Sequence, residues 1–216
     1  MKRYYIEVFA IFFVLFLAMF SYPVRADLPL QGKVIAIDSG HGGLDPGSLY
    51  KDIYEKDITL SIGKYLEKYL SEMGATVIMT RTSDDDLSNG VKNHRKKADF
   101  DERIKIINQK IVDMYVSIHL NYLTDTKYYG AQVFYNKDNE NLAKFIQNYL
   151  NENINTDREV KKIPTSTYMY DKLTTKGVLV ECGFLSNAME RGKLVTAEYQ
   201  SKFAKVLAES ISHYYS

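Results

Sequence analysis

Cysteine is nearly absent. Of 216 residues only Cys182 carries a thiol, which excludes an intramolecular disulfide and any cysteine-rich zinc site. Excess charge is lacking as well. Lysine and arginine number 28 against 27 acidic residues, a formal net charge of +1, which gives no broad electrostatic grip on nucleic acid. The apolar run from Val8 to Phe20 is 13 residues long, short of the roughly 20 that span a bilayer comfortably. No internal repeat, low-complexity tract or dividing linker interrupts the remainder, which reads as one domain. What is present is ordinary for a globular chain: 45% hydrophobic and 25% charged residues. The length suffices to bury roughly 70% of the unfolded surface without disulfide staples.

Residues 1–26 differ from the rest. Lys2 and Arg3 precede the apolar run, and Val24-Arg25-Ala26 supplies a small-residue end, the order of a secretory signal cleaved after Ala26. Counted back to Tyr4 the run lengthens, with Glu7 inside, so an uncleaved N-terminal membrane anchor is the other reading. Either one places residues 27–216 outside the cytoplasmic membrane.

Strand-like and helix-like patterns then alternate. Lys33 to Asp38 is a β-branched run that enters Ser-Gly-His-Gly-Gly, which suits a buried strand ending in a tight loop. Ile58, Ile62, Leu66, Leu70 and Met73 recur at helical spacing over Glu55 to Met73, and Gly74 supplies the stop. Further strands are predicted at Ala75 to Thr80, Asp113 to His119, Ala131 to Tyr135, Tyr168 to Asp171 and Val178 to Glu181. Helices are predicted at Phe100 to Gln109, Glu140 to Asn151 and Ala197 to Tyr214, with a polar loop over Arg81 to Lys97. The alternation implies an α/β domain with a mostly parallel central sheet flanked by helices on both faces.

In such sheets chemistry collects at the carboxyl ends of the strands. Three ionisable groups fall there: His41 after the first strand, His119 closing the third predicted one, and Glu181 closing the last. Glu55 joins them at the start of the first predicted helix. Two histidines and two carboxylates match the needs of a catalytic zinc site, in which imidazole and carboxylate hold the ion, a position stays open for water, and a further carboxylate serves as base. Each residue also has an ordinary reading. His41 fits a surface turn, His119 a hydrogen-bonded core position, and Glu55 a first-turn acid favoured by the helix dipole. Glu181 resists such a reading, because burying a carboxylate at the end of Val178 to Val180 is costly without a partner. His94 reads as a solvated loop residue and His213 as surface.

Taken together, Ile37-Asp38-Ser39-Gly40-His41-Gly42-Gly43-Leu44-Asp45-Pro46-Gly47, then Tyr54-Glu55-Lys56-Asp57-Ile58, then Val116-Ser117-Ile118-His119-Leu120-Asn121, and Val178-Leu179-Val180-Glu181-Cys182-Gly183-Phe184 resemble the four blocks of the zinc-dependent N-acetylmuramoyl-L-alanine amidases of type 3. The resemblance runs from about residue 33 to the carboxyl terminus, with Thr80-Arg81 and Glu102-Arg103 as supporting pieces. Ser39 stands where that family commonly has proline, and Cys182 where it commonly has threonine.

The resemblance implies a peptidoglycan hydrolase that cuts the amide between the lactyl group of N-acetylmuramic acid and L-alanine of the stem peptide. By the family pattern His41, Glu55 and His119 hold one Zn2+ per chain, and Glu181 is the catalytic carboxylate. Asn121 and Arg103 are candidates for hydrogen bonds to substrate or to the ligands, an ion pair being the alternative for Arg103. The short single-domain form resembles the germination-specific branch that acts on spore cortex and leads to muramic lactam. It implies peptidoglycan as partner, an accessory activating protein, no nucleic acid, and a place in the cell envelope. Two other classes stand beside it: a peptidoglycan-binding protein that keeps the fold without cutting, and a thiol hydrolase built on Cys182. Against the latter, successive strand residues face opposite sides, so Cys182 should point away from the face presenting Glu181.

Overall fold

The computed structural model describes residues 28–154 and 156–216; the segment read as a signal or anchor, 1–26, lies outside them. The first strand, β1 (Val34–Ser39), is buried along its whole length, as its β-branched composition demands. A two-residue hairpin follows, β2 (Leu49–Tyr50) and β3 (Ile53–Tyr54), and leads into α1 (Glu55–Glu72). Then come β4 (Thr76–Met79), α2 (Arg95–Ile107), β5 (Met114–Asn121), β6 (Gln132–Tyr135) and α3 (Glu140–Ile154). The chain closes with β7 (Lys161–Lys162), α4 (Tyr168–Lys172), β8 (Gly177–Phe184), α5 (Ala188–Leu194) and α6 (Ala197–Tyr215).

The main sheet has the order β4-β1-β5-β8-β6-β7. Pairing is parallel except between β6 and β8, which run antiparallel. Helices cover both faces. On one, Ile58, Ile62, Leu66 and Leu70 of α1 form a stripe at i, i+4 spacing, which packs with Leu142 and Ile146 of α3, Phe203 and Leu207 of α6, and Ile35, Val116 and Val180 of the sheet. On the other, Ile107 of α2 and Met169 and Tyr170 of α4 meet Ala36, Tyr115 and Leu179. The carboxyl ends of β1, β5 and β8, three adjacent strands, therefore open on the same edge of the sheet.

Three expectations need correction. Tyr168 to Asp171 is helical: Asp171 N–H donates to the Thr167 carbonyl at 3.1 Å, and Met169 and Tyr170 bury into one cluster, whereas a strand would send consecutive residues to opposite faces. The helix expected from Phe100 begins at Arg95, because its first turn is charged and half-exposed and shows no apolar stripe. The sequence reading also did not resolve β2, β3, β7 and α5, elements too short for periodicity to register. His94 and His213 are exposed, as expected.

Candidate active site

The loop after β1 carries His41 in a left-handed conformation, φ 62°. Glu55 is the first residue of α1, and its carboxylate is aimed by two backbone donors. Ser48 N–H reaches Oε2 at 2.7 Å, and Leu120 N–H reaches Oε1 at 2.9 Å. His119 lies near the end of β5, just before a register shift against β8, the kind of irregularity that re-aims side chains beside active sites.

Both imidazoles point at one oxygen. His41 Nε2 lies 3.1 Å and His119 Nδ1 3.0 Å from Glu55 Oε1, and one ligand atom from each of the three residues falls within 4.8 Å of the others. Two glycines keep the space clear. A Cβ on Gly40 would stand 2.4 Å from the His119 ring, and one on Gly47 would stand 2.6 Å from His41 Cδ2 and 2.7 Å from Glu55 Oε2. Asp45 Oδ2 lies 3.0 Å from His41 Nδ1, though outside good hydrogen-bond geometry. The sequence reading gave Asp45 no role; its place four residues after a ligand-type histidine in a glycine-rich turn was the available signal.

The electrostatics favour a cation at the centre. Burial pushes the His41 pKa down, but the carboxylates of Asp45 and Glu55 outweigh it and lift the pKa to about 9. Glu55 is held well below the usual carboxylate range: burial raises it, and the hydrogen bonds from His119 and His41 overcome that. Asp45 is lowered chiefly by His41. A site that draws a proton onto its imidazole is one in which a divalent ion can replace that proton, and two imidazoles with a carboxylate are a donor set zinc accepts.

Glu181 sits beside this set. It pairs directly with His119 in the β5–β8 register, and its Oε2 is buried with no hydrogen-bond partner among the described residues. Burial raises its pKa to about 7; His119 and His41 pull it down and Glu55 pushes it up. A cleft of about 320 Å³ is lined by His41, Glu55, His119, Glu181, Asn121 and Tyr170, among others. Its lining thus sets a buried carboxylate with a raised pKa next to three groups able to hold a metal. Asn121 thus reaches the cleft. Arg103 does not; it is buried beneath the His41 loop and bonded to Asp38 and Asp99. Tyr170, in a segment the sequence reading took for a strand, was given no role there. Cys182 is fully buried in the apolar cluster of the opposite face, with its thiol pKa pushed well up by burial.

Comparison with known proteins finds similarity over most of the chain. A family model described as N-acetylmuramoyl-L-alanine amidase matches residues 35–213. A germination-specific N-acetylmuramoyl-L-alanine amidase of Bacillus subtilis is 40% identical, across 96% of this chain and 93% of the relative. Among solved structures, the CwlD amidase of Clostridioides difficile, in complex with the GerS lipoprotein, superposes with a TM-score of 0.79 at 38% identity, over 84% of this chain and 98% of that one. The catalytic domain of CwlV, an N-acetylmuramoyl-L-alanine amidase of Paenibacillus polymyxa, gives 0.73 at 26% identity, over 84% and 97%.

Proposed function

The chain belongs to the N-acetylmuramoyl-L-alanine amidase family, and from that premise we propose that it hydrolyses the amide between the lactyl group of N-acetylmuramic acid and L-alanine of the peptidoglycan stem peptide, using zinc held by His41, Glu55 and His119. The observation that carries the reading is the convergence of those three donors beside Glu181, whose buried oxygen has no protein partner among the described residues.

Zinc, when bound, supplies a Lewis acid that polarises the scissile carbonyl and makes water acidic enough to react near neutral pH. The protein does the rest. Glu55, fixed by Ser48 and Leu120, brings negative charge between the two imidazoles. Glu181, with its pKa raised to about 7, takes the proton from the attacking water and passes it to the departing alanine nitrogen, the double duty of a general base and acid. Asn121 lines the cleft, which supports a role in holding the substrate.

The germination-specific relative supports spore cortex as the site of action, with muramic lactam forming on the stripped muramic acid. The lipoprotein bound to the solved relative supports an accessory partner for this chain as well. Residues 27–216 are then the catalytic domain, and 1–26 the export signal or anchor that delivers it to the envelope. Among the described residues no helix is long and apolar enough to cross a membrane.

The test is mass spectrometry of purified muropeptides and of spore cortex incubated with the protein and zinc. Release of free stem peptide from intact glycan is expected. Release of disaccharide still joined to peptide, or binding without any cut, would overturn the assignment.

A further inference from the structure

His41 sits at positive φ, a conformation uncommon for a non-glycine residue, and two guanidinium groups hold the backbone around it. Arg103, 2% exposed, donates through Nη2 to the His41 carbonyl at 2.6 Å and through Nη1 to the Ser39 carbonyl at 2.9 Å. Arg81 approaches the same stretch, with Nε donating to the Ser39 carbonyl and Nη2 to the Gly40 carbonyl, each at 2.9 Å. The carbonyls of three successive residues ending in His41 are thus all held by arginine donors.

Arg103 is itself fixed. Its Nη1 donates to Asp38 Oδ1 at 2.7 Å and its Nε to Asp99 Oδ2 at 2.8 Å. The other oxygen of Asp38 accepts from Ser117 Oγ at 2.6 Å. Ser117 precedes His119 by two residues on β5 and shares its face. A single buried carboxylate therefore joins the arginine that grips the His41 loop to the strand that carries His119. The planar fork of arginine reaches these acceptors in fixed directions, which a lysine ammonium cannot imitate.

We propose that Arg103 is a positioning residue for the metal: it sets His41 in place relative to His119 before any ion arrives, and metal affinity depends on it. This rests on the reading of His41, Glu55 and His119 as ligands. Arg103 does not line the substrate cleft, though it shares a smaller neighbouring cavity with His41 and His119; its direct contact with a ligand residue is the bond to the His41 carbonyl.

The experiment uses Arg103→Lys, Asp99→Asn and, as a control at another buried position of the same helix, Ile107→Val. Zinc affinity is measured by competition with a chromophoric chelator, cobalt(II) absorption reports the ligand field, and circular dichroism with thermal melts reports the fold. Partners that orient metal ligands are commonly worth about 10- to 100-fold in affinity. Arg103→Lys is expected to weaken zinc by that amount and to change the cobalt bands, while the folded signal persists. Asp99→Asn should do the same to a smaller degree. Ile107→Val should lower Tm yet bind zinc as the parent does. If Arg103→Lys melts earlier but binds zinc with parental affinity and an unchanged cobalt spectrum, the arginine is only a core ion pair and the inference falls. If the parent protein binds neither ion, the ligand reading falls and takes the inference with it.

Discussion

Glu181 and His119 stand directly opposite one another on the paired strands β8 and β5, on the wall of one cleft, while Cys182 is turned to the other side of the sheet. Strand alternation alone produces this separation. It puts the carboxylate at the cleft and leaves the thiol in the core, and it makes the proposed role of each testable.

Glu181→Gln keeps the shape of the side chain but removes its capacity to move a proton. Turnover should fall on the order of 100- to 10,000-fold, the usual contribution of a positioned base. Zinc content, read by plasma emission, should stay at the parental level because Glu181 is not a proposed ligand. Parental hydrolysis by this variant would take the residue out of the mechanism.

Cys182→Ser should remain active, and iodoacetamide should leave the native protein largely uninhibited, since the thiol is buried and its pKa is raised by desolvation. The Val180 carbonyl, 3.8 Å from the sulfur, is too far to accept from a hydroxyl on a shorter bond, so the buried serine should lower Tm while leaving activity in place. Loss of activity with zinc still bound would restore the thiol mechanism.

Chelation should give a folded, inactive protein that zinc restores. The two apolar clusters are built by helices and strands on either side of the sheet, and neither needs an ion to form. His119→Ala should likewise lower metal content with little loss of helical signal. Circular dichroism before and after EDTA decides the matter: unfolding on chelation would mean that the metal is structural.

Asp38 links stability to acid. Burial alone would raise its pKa, but Arg103 and the Ser117 hydroxyl outweigh that and hold it below the ordinary carboxylate value. The folded protein therefore binds this proton less readily than the unfolded chain. The stabilisation is complete above the unfolded value of about 3.9 and disappears as pH falls through the lower folded one. Urea melts of the metal-free protein should show stability dropping below about pH 4. Asp38→Asn should flatten that slope and cost about 3–5 kcal/mol at neutral pH, because Arg103 loses a buried partner. Ser117→Ala, which removes one bond to the carboxylate, should shift the acid limb less. An unchanged acid slope in Asp38→Asn would assign the effect elsewhere.

Element ends drew His41, Glu55, His119 and Glu181 to notice, because α/β sheets gather such ends on one edge, but each also had an ordinary reading, and their proposed roles came from the resemblance of the four blocks to the amidases. Asp45 and the burial of Arg103 were not legible in that way. Their partners are fixed by how loops fold over the strand ends, and no periodicity encodes that. The Tyr168–Lys172 helix was misread for a related reason. Five residues hold too little of a helical period to outweigh the strand preference of tyrosine, and only the packing of Met169 and Tyr170 together against Leu179 decides the outcome.

The strand order also governs what an incomplete chain would be. β5 occupies the middle of the sheet, between β1 and β8. A polypeptide synthesised only through α3 already owns His41, Glu55 and His119, yet the far side of β5 would have no β8 to bond. Its row of unpaired backbone groups, along the largely apolar stretch Met114 to Ile118, would be open to pairing with another chain. The final part of the sequence thus does two jobs when β8 inserts: it brings Glu181 to the ligand-type residues, and it closes an edge in the middle of the sheet.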